Sequence, residues 1–398
     1  MKKIYYILLV FTSITLACQK NENDVTSDME FFKIYNIPEF TASYYAVDIK
    51  QTPDLGYLIL ASYYNDASNY VWLETSVIKI DKTGNFEWEI KPGAQYVNPV
   101  GSISEINNEL YFFCMDANTL GTHILKIDQT AQTVSSVNYN PDITYPLVST
   151  QESGNVVLQA YDRLGRATTI TKFNTDFSVA WQNSISLIED GEALMINHIT
   201  RRGKQYPFFI TSAKTGNTPD YYLVNGFYQY TFSLLFINAS TGAMTGVHNG
   251  YRYEGATSSA VQLSDNNFGI SYFFRGNNYI INNHTFNSSG ISTIENLTGL
   301  AASELKTDAT VYTKIVTKNN IDYIIYAATT TNNSIVFYTY EKSTGKFVNR
   351  YLNSAKNPID LGAMYMNESA VVITGQTRVF GNIPRIFVSK IPIENLIP

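Results

Sequence analysis

The chain alternates short apolar runs with polar turns from about residue 40 to its end. "YLILASYY" follows "IKQTPDLG", "LYFFCM" follows "SEINNE", "NVVLQAY" follows "STQESG", and "YIIYAA" follows "TKNNID". In each case a short strand meets a polar turn and then a strongly apolar strand, which predicts a hairpin. A second hairpin series is interleaved with the first: "KIDKTGNFEW" (79–88), "KIDQTAQTVSS" from Lys126, "KFNTDFSVAW" (172–181), "FINASTGAMTG", "TFNSSGISTI" and "TYEKSTGKFVN". Its turn acid or amide falls at Asp81, Asp128, Asn174, Asn238, Asn287 and Glu341, at spacings of 47, 46, 64, 49 and 54 residues. An Asp or Asn side chain there bonds a backbone N–H two residues on, and Gly supplies positive φ. Because it recurs, "KIDKTGNFEW" is scaffold and not a binding motif.

Together the two series give units of four strands, A–B–C–D, over roughly 45 to 50 residues, the length of a propeller blade. "MINHITRRGKQYPFFITSA" fills the fourth A–B position with a basic turn. The last unit, from about Ile359, has A, B and C ("RIFVSKI") but stops before D, whereas "EFFKIYNI" (30–37) resembles the D strand "FEWEIKP". The prediction is an all-β, seven-bladed β-propeller of four-stranded antiparallel blades, one domain over 30–398, its ring closed by the N-terminal strand. The D–turn–Gly–Trp pattern resembles the repeats of quinoprotein-like propellers, although only Trp88 and Trp181 supply the tryptophan. That resemblance implies a tryptophan docked on the neighbouring blade; it covers architecture and brings no cofactor.

The first residues are excluded from the fold. Met1-Lys2-Lys3 is a basic segment and "IYYILLVFTSITLA" an apolar one ending at Ala17, too short to span a bilayer and suited to a secretory signal over 1–17. Cys18 directly after it resembles the lipobox of bacterial lipoproteins, with Thr15 and Leu16 as departures. The resemblance implies that Cys18 is lipidated. The polar, acidic "QKNENDVTSDME" completes a tether over 18–29, similar to the export signal of surface lipoproteins of the Bacteroidota. It implies an outer-membrane protein held at the cell surface by lipid alone.

Composition narrows the rest. Cys114 has no disulfide partner once Cys18 is set aside, so an ordinary core must carry stability. The 44% apolar content supports one. The formal charge of −6 becomes −8 without Lys2 and Lys3, and Arg201-Arg202 is the sole basic pair, which argues against nucleic acid as partner.

Thirty tyrosines raise the question of a binding face. In a propeller the B–C and D–A connections share one mouth of the central channel. The first B–C loop, "YYNDASNYVW", offers Tyr64, Asp66, Tyr70 and Trp72; "SAKTGNTPDYYLVNGFYQY" (212–230), read as the fourth, offers Tyr221, Tyr222 and Tyr228; "FFRGNNY" offers Arg275 and Tyr279. The D–A loops add Tyr96 and Arg252. Aromatic faces beside amides and guanidinium suit sugar rings, and equally a protein partner.

Sharper chemistry is missing. His123, His198, His248 and His284 are isolated, without HxH or HExxH spacing, so neither a metal nor another cofactor is expected. Asp66, Asp116, Asp162, Asp190 and Glu254 are carboxylates from which an acid/base pair could be drawn. The expectation is a surface-anchored binding propeller for a glycan or protein, a monomer or a subunit of an envelope complex. The alternatives are a carbohydrate-active hydrolase or lyase, and a structural subunit of an outer-membrane complex.

Overall fold

The computed structural model describes residues 30–35, 42–64, 71–201, 206–250, 254–294, 297–379 and 383–398. The signal segment, Cys18 and its tether, Asp66, Tyr70 and Arg252 lie outside them. The chain opens with β1 (Phe31–Ile34) and continues through β2 (Ser43–Gln51), β3 (Tyr57–Tyr64), β4 (Glu74–Ile80) and β5 (Phe86–Ile90). Next come β6 (Tyr96–Ile106), β7 (Glu109–Asp116), β8 (Gly121–Asp128) and β9 (Thr133–Thr144), then β10 (Pro146–Glu152), β11 (Asn155–Asp162), β12 (Ala167–Phe173) and β13 (Val179–Ser186). A helix, α1 (Glu192–Thr200), precedes β14 (Ile210–Ala213), β15 (Tyr221–Tyr228), β16 (Thr231–Asn238) and β17 (Met244–Asn249). β18 (Gly255–Ser264), β19 (Asn267–Phe274), β20 (Asn277–Thr285), β21 (Gly290–Thr293) and β22 (Leu300–Ala301) follow. The chain ends with β23 (Tyr312–Lys318), β24 (Ile321–Thr329), β25 (Ile335–Glu341), β26 (Phe347–Asn353), β27 (Ile359–Met366), β28 (Ala370–Thr377) and β29 (Arg385–Pro392).

The strands form antiparallel up-and-down sheets packed face to face around a central channel, a β-propeller. The blade count differs from expectation. Five discrete blades of four or five strands form, not seven, and the first eight strands after β1 make one continuous sheet. Pro92 and Gly93 end β5 early, and the chain regains the free edge of β4 where Val97 of β6 bridges Glu74. β5 therefore shares that edge with β6, and no gap separates the two units.

Two further expectations are corrected. "ISTI" does not form the outer strand of its own blade. β21 instead adds to β17 in parallel, making that sheet five-stranded, and the two-residue β22 takes the vacant edge of β20. "MINHIT", expected as a strand, is instead the one α-helix among the described residues of this all-β propeller. Glu192, Ala193, Leu194 and Met195 are strong helix formers, and Met195, His198 and Ile199 recur on one buried face. The fourth A strand is then β14, and the stretch read as its B–C loop is a turn followed by β15.

Second and third strands of the blades lie between neighbouring sheets and read as continuous apolar runs. Leu58, Ile59, Leu60 and Ala61 of β3 are all fully buried, facing alternately into two core clusters. Outer strands such as β13 are mostly exposed or half-buried, with only Ile185 buried, because one face meets solvent. The chain ends share one sheet: β1 lies antiparallel to β29, with Phe31 opposite Lys390 and Ile34 opposite Phe387.

The repeated turn acts as scaffold. Asp81 Oδ1 accepts the N–H groups of Thr83 and Asn85, both at 2.8 Å. Partial burial opposes its ionisation, yet these hydrogen bonds and those of the Thr83 and Asn85 side chains outweigh it and hold its pKa at about 2. Gly242, at φ +74, closes the equivalent turn under the Trp181 ring; an added Cβ would lie 2.5 Å from that ring. The Trp181 indole N–H donates to Ala239 of the neighbouring blade at 3.1 Å.

Candidate functional site

A channel of about 580 Å³ runs between the innermost strands β2, β6, β10, β14, β18, β23 and β27. Its wall is hydroxyl-rich. Ser258 and Ser259 share hydrogen bonds with Ser271 at 2.8 and 2.7 Å, and Ser259 meets Thr313 at 2.5 Å. Thr150, Thr211 and Thr310 line it as well.

Five charged side chains face this space: Asp48 on β2, Asp360 on β27, Lys314 on β23, and Lys306 and Asp308 in the connection before β23. Asp48 Oδ2 accepts the Ile103 N–H at 2.6 Å. Enclosure by protein pushes its carboxyl above the usual range, against the pull of the Ile103 and Ile49 N–H groups and of Lys314 and Lys50. Lys306 is ion-paired with Asp360. The Tyr312 hydroxyl donates to the Gly362 carbonyl, and burial raises its pKa. Asp308 sits at φ +53 with no hydrogen bond or ion pair among the described residues, and partial burial alone raises its carboxyl.

The helix closes in on this channel from the D–A side. The Asp190 carboxylate accepts the Glu192 N–H at 2.9 Å and the Tyr161 hydroxyl at 2.8 Å. Glu192 in turn accepts the Tyr145 hydroxyl at 2.7 Å and pairs with Arg163 at 2.9 Å. So fixed, α1 brings His198 and Ile199 to the channel, joined by Tyr206 and Phe208 from the segment before β14. Beneath them lies an aromatic cluster of Tyr145, Tyr161, Tyr206, Phe227 and Phe232.

None of the described loop residues selected from the sequence lines the channel. Tyr64 is exposed at the end of β3. Trp72 packs edge-on against Tyr145 at 6.2 Å, beside the aromatic cluster. Tyr96 packs against His123 at 4.9 Å. Tyr222 is fully buried on β15, while Tyr221 and Tyr228 are half-buried on the same strand; they are core, because the expected loop is a strand. Arg275 and Tyr279 do meet, in a separate pocket of about 480 Å³ with Tyr272, Phe274 and Leu297. There Tyr279 stacks on Tyr272 at 4.8 Å, and the exposed Arg275 lies over Phe274 and pairs with Glu254 at 3.3 Å.

The described carboxylates picked from loops are likewise structural. Asp116 accepts the Asn118 and Thr119 N–H groups and meets His123 at 3.2 Å; Asp162 accepts those of Leu164 and Gly165. The carboxylates that face the channel, Asp48, Asp308 and Asp360, were missed, as was His198. Asp48 had a signal: it stands in "YAVDIKQ", on the first strand of a unit, and first strands line the channel. Among the described residues no three His, Cys, Asp or Glu side chains gather as a metal site.

No family model and no curated protein matches this chain. Solved structures do. The β-propeller domain of the trilobed protease from Pyrococcus furiosus is 10% identical, covering 89% of this chain and 96% of that one at a TM-score of 0.45. The acylaminoacyl peptidase of Pyrococcus horikoshii is 11% identical over 87% of this chain and 51% of that one, at 0.46. A protein from Lactobacillus plantarum is 9% identical over 78% and 85%, at 0.50. The likeness is one of fold.

Proposed function

We propose that this chain is a binding propeller that takes a carbohydrate into its central channel. The observation that carries the reading is the channel wall: hydroxyls, the carboxylates of Asp48 and Asp308, and aromatic rings at the α1 side, within about 580 Å³. Hydroxyls and carboxylates match sugar hydroxyls, while Tyr206 and Phe208 offer faces for C–H stacking. The volume lies within the range of small-ligand pockets. This moves the site inward from the tyrosine-bearing loops.

The test is a glycan array probed with the purified full-length chain. Hits should weaken roughly tenfold or more for Asp308→Ala and Tyr312→Phe, in line with lost charged hydrogen bonds. Trp72→Ala and Arg275→Ala should leave them unchanged. The reverse pattern would return the site to the loops, and an array without hits would sink the carbohydrate reading.

A second reading, a glycoside hydrolase or lyase, is favoured by one feature: Asp48, held toward its protonated form, shares the channel with the Lys306-paired Asp360. Such a pair suits acid and base roles. Release of reducing ends from an array hit, lost in Asp360→Asn, would replace the binding reading with this one.

We also infer that the chain is a lipoprotein of the outer membrane. The basic start, the apolar run to Ala17 and the Cys18 that follows support this. Cells fed radiolabelled palmitate should label the wild-type chain, whereas Cys18→Ser should abolish labelling and move the protein from the membrane to the soluble fraction. A Cys18→Ser chain that stays labelled would refute the assignment.

A further inference from the structure

We propose that His198 is the donor that selects the channel's ligand, and that this ligand is an oligosaccharide bearing an acetamido group. The proposal rests on the carbohydrate reading above and adds to it a residue and a substrate class. It begins with the imidazole. The Tyr206 N–H donates to His198 Nδ1 at 3.2 Å, so Nδ1 holds the lone pair and the proton sits on Nε2. Burial keeps the ring neutral, lowering its pKa to about 3.

Nε2–H has no acceptor among the described residues, although His198 is 5% exposed and lines the channel. That N–H is therefore open to meet an acceptor that arrives with a ligand in the channel the residue lines.

The surroundings define that acceptor. His198 packs edge-on against Phe208 at 4.8 Å and lies 6.0 Å from the Tyr206 ring, with Ile199 beside it on α1. A hydroxyl placed in this apolar niche would accept from Nε2–H but leave its own hydrogen facing hydrocarbon. An acetamido group presents a carbonyl oxygen to the N–H and a methyl group to the rings. Its amide N–H and the sugar hydroxyls then remain for the carboxylates elsewhere on the wall.

The test compares N,N′-diacetylchitobiose with cellobiose, the same disaccharide framework with and without acetamido groups, by calorimetric titration into the full-length chain. Diacetylchitobiose should bind roughly tenfold more tightly, the value of one good buried hydrogen bond. His198→Phe should abolish that preference, and His198→Gln, which keeps a donor, should restore part of it. In the wild-type protein, diacetylchitobiose should shift the imidazole Nε2–H resonance and cellobiose should not. Equal affinity for the two sugars, or an Nε2–H signal that diacetylchitobiose leaves unmoved, overturns this proposal while leaving carbohydrate binding intact. If His198→Phe fails to fold, the wild-type resonance decides. Binding of neither sugar overturns both readings.

Discussion

Replacing Tyr35 by alanine should cost about 3–4 kcal/mol of unfolding free energy, the range for truncating a buried aromatic side chain. Tyr35 is 4% exposed at the end of β1, within a core cluster built from β2, β3 and β4 on one side and β27, β28 and β29 on the other. Its N–H donates to Ile386 at 2.9 Å, and its hydroxyl reaches the Gly84 carbonyl, also at 2.9 Å. The side chain thus ties the sheet holding both chain ends to the turn of the next sheet. Tyr35→Phe removes only the hydroxyl and should cost about 1 kcal/mol. Urea denaturation checks both, and an alanine variant within about 0.5 kcal/mol of wild type would show that this seam contributes little.

Gly375→Ala should be comparably damaging, at about 3 kcal/mol. Gly375 lies on β28, where an added Cβ would fall 1.8 Å from the Asp360 carbonyl oxygen and 2.9 Å from the Phe387 ring. The first of these is backbone and cannot rotate away. Relief requires β27 to shift, and with it the Asp360 carboxylate that pairs with Lys306 in the channel wall. Loss of stability should therefore accompany loss of glycan-array signal. Gly216→Ala is the control: nothing lies within 4 Å of its added Cβ, and it should stay within about 0.5 kcal/mol of wild type. A Gly375→Ala protein that melts and binds like wild type would mean that β27 can shift at little cost.

Much of the fold could be read from the chain because its signals are local. The Asp81 and Asn238 turns, the apolar B and C strands, and the kinship of "EFFKIYNI" with an outer strand all reflect hydrogen bonding and burial within a few residues or one blade. What escaped depends on how separate segments share an edge. Whether "ISTI" caps β20 or β17 is decided by which edge is free, and its composition suits either. The junction of β4 with β6 is a single bridge at Glu74 and Val97, which no periodicity announces. The α1 segment was misread for a different reason. The repeat called for a strand there, yet Met195, His198 and Ile199 follow the helical spacing.

The site was harder to read than the fold. Tyrosines in supposed loops drew attention to the rim, where Trp72 and Tyr96 turn out to pack against other aromatic side chains. Polar residues on first strands, such as Asp48 and Ser259, were more informative, since those strands face the channel while the next ones are fully enclosed.

The pairing of β1 with β29 also sets the direction in which the molecule points. Phe31 lies opposite Lys390, near the C–D end of β29, so whatever precedes Glu30 departs from the side away from α1 and the B–C and D–A connections. The twelve residues from Cys18 to Asp28 and Met29 can reach at most about 40 Å. A chain held at Cys18 would therefore be attached from the face opposite its α1 entrance, within a few tens of ångströms of the surface that holds it. Ligands would reach that entrance from the medium without passing between protein and membrane.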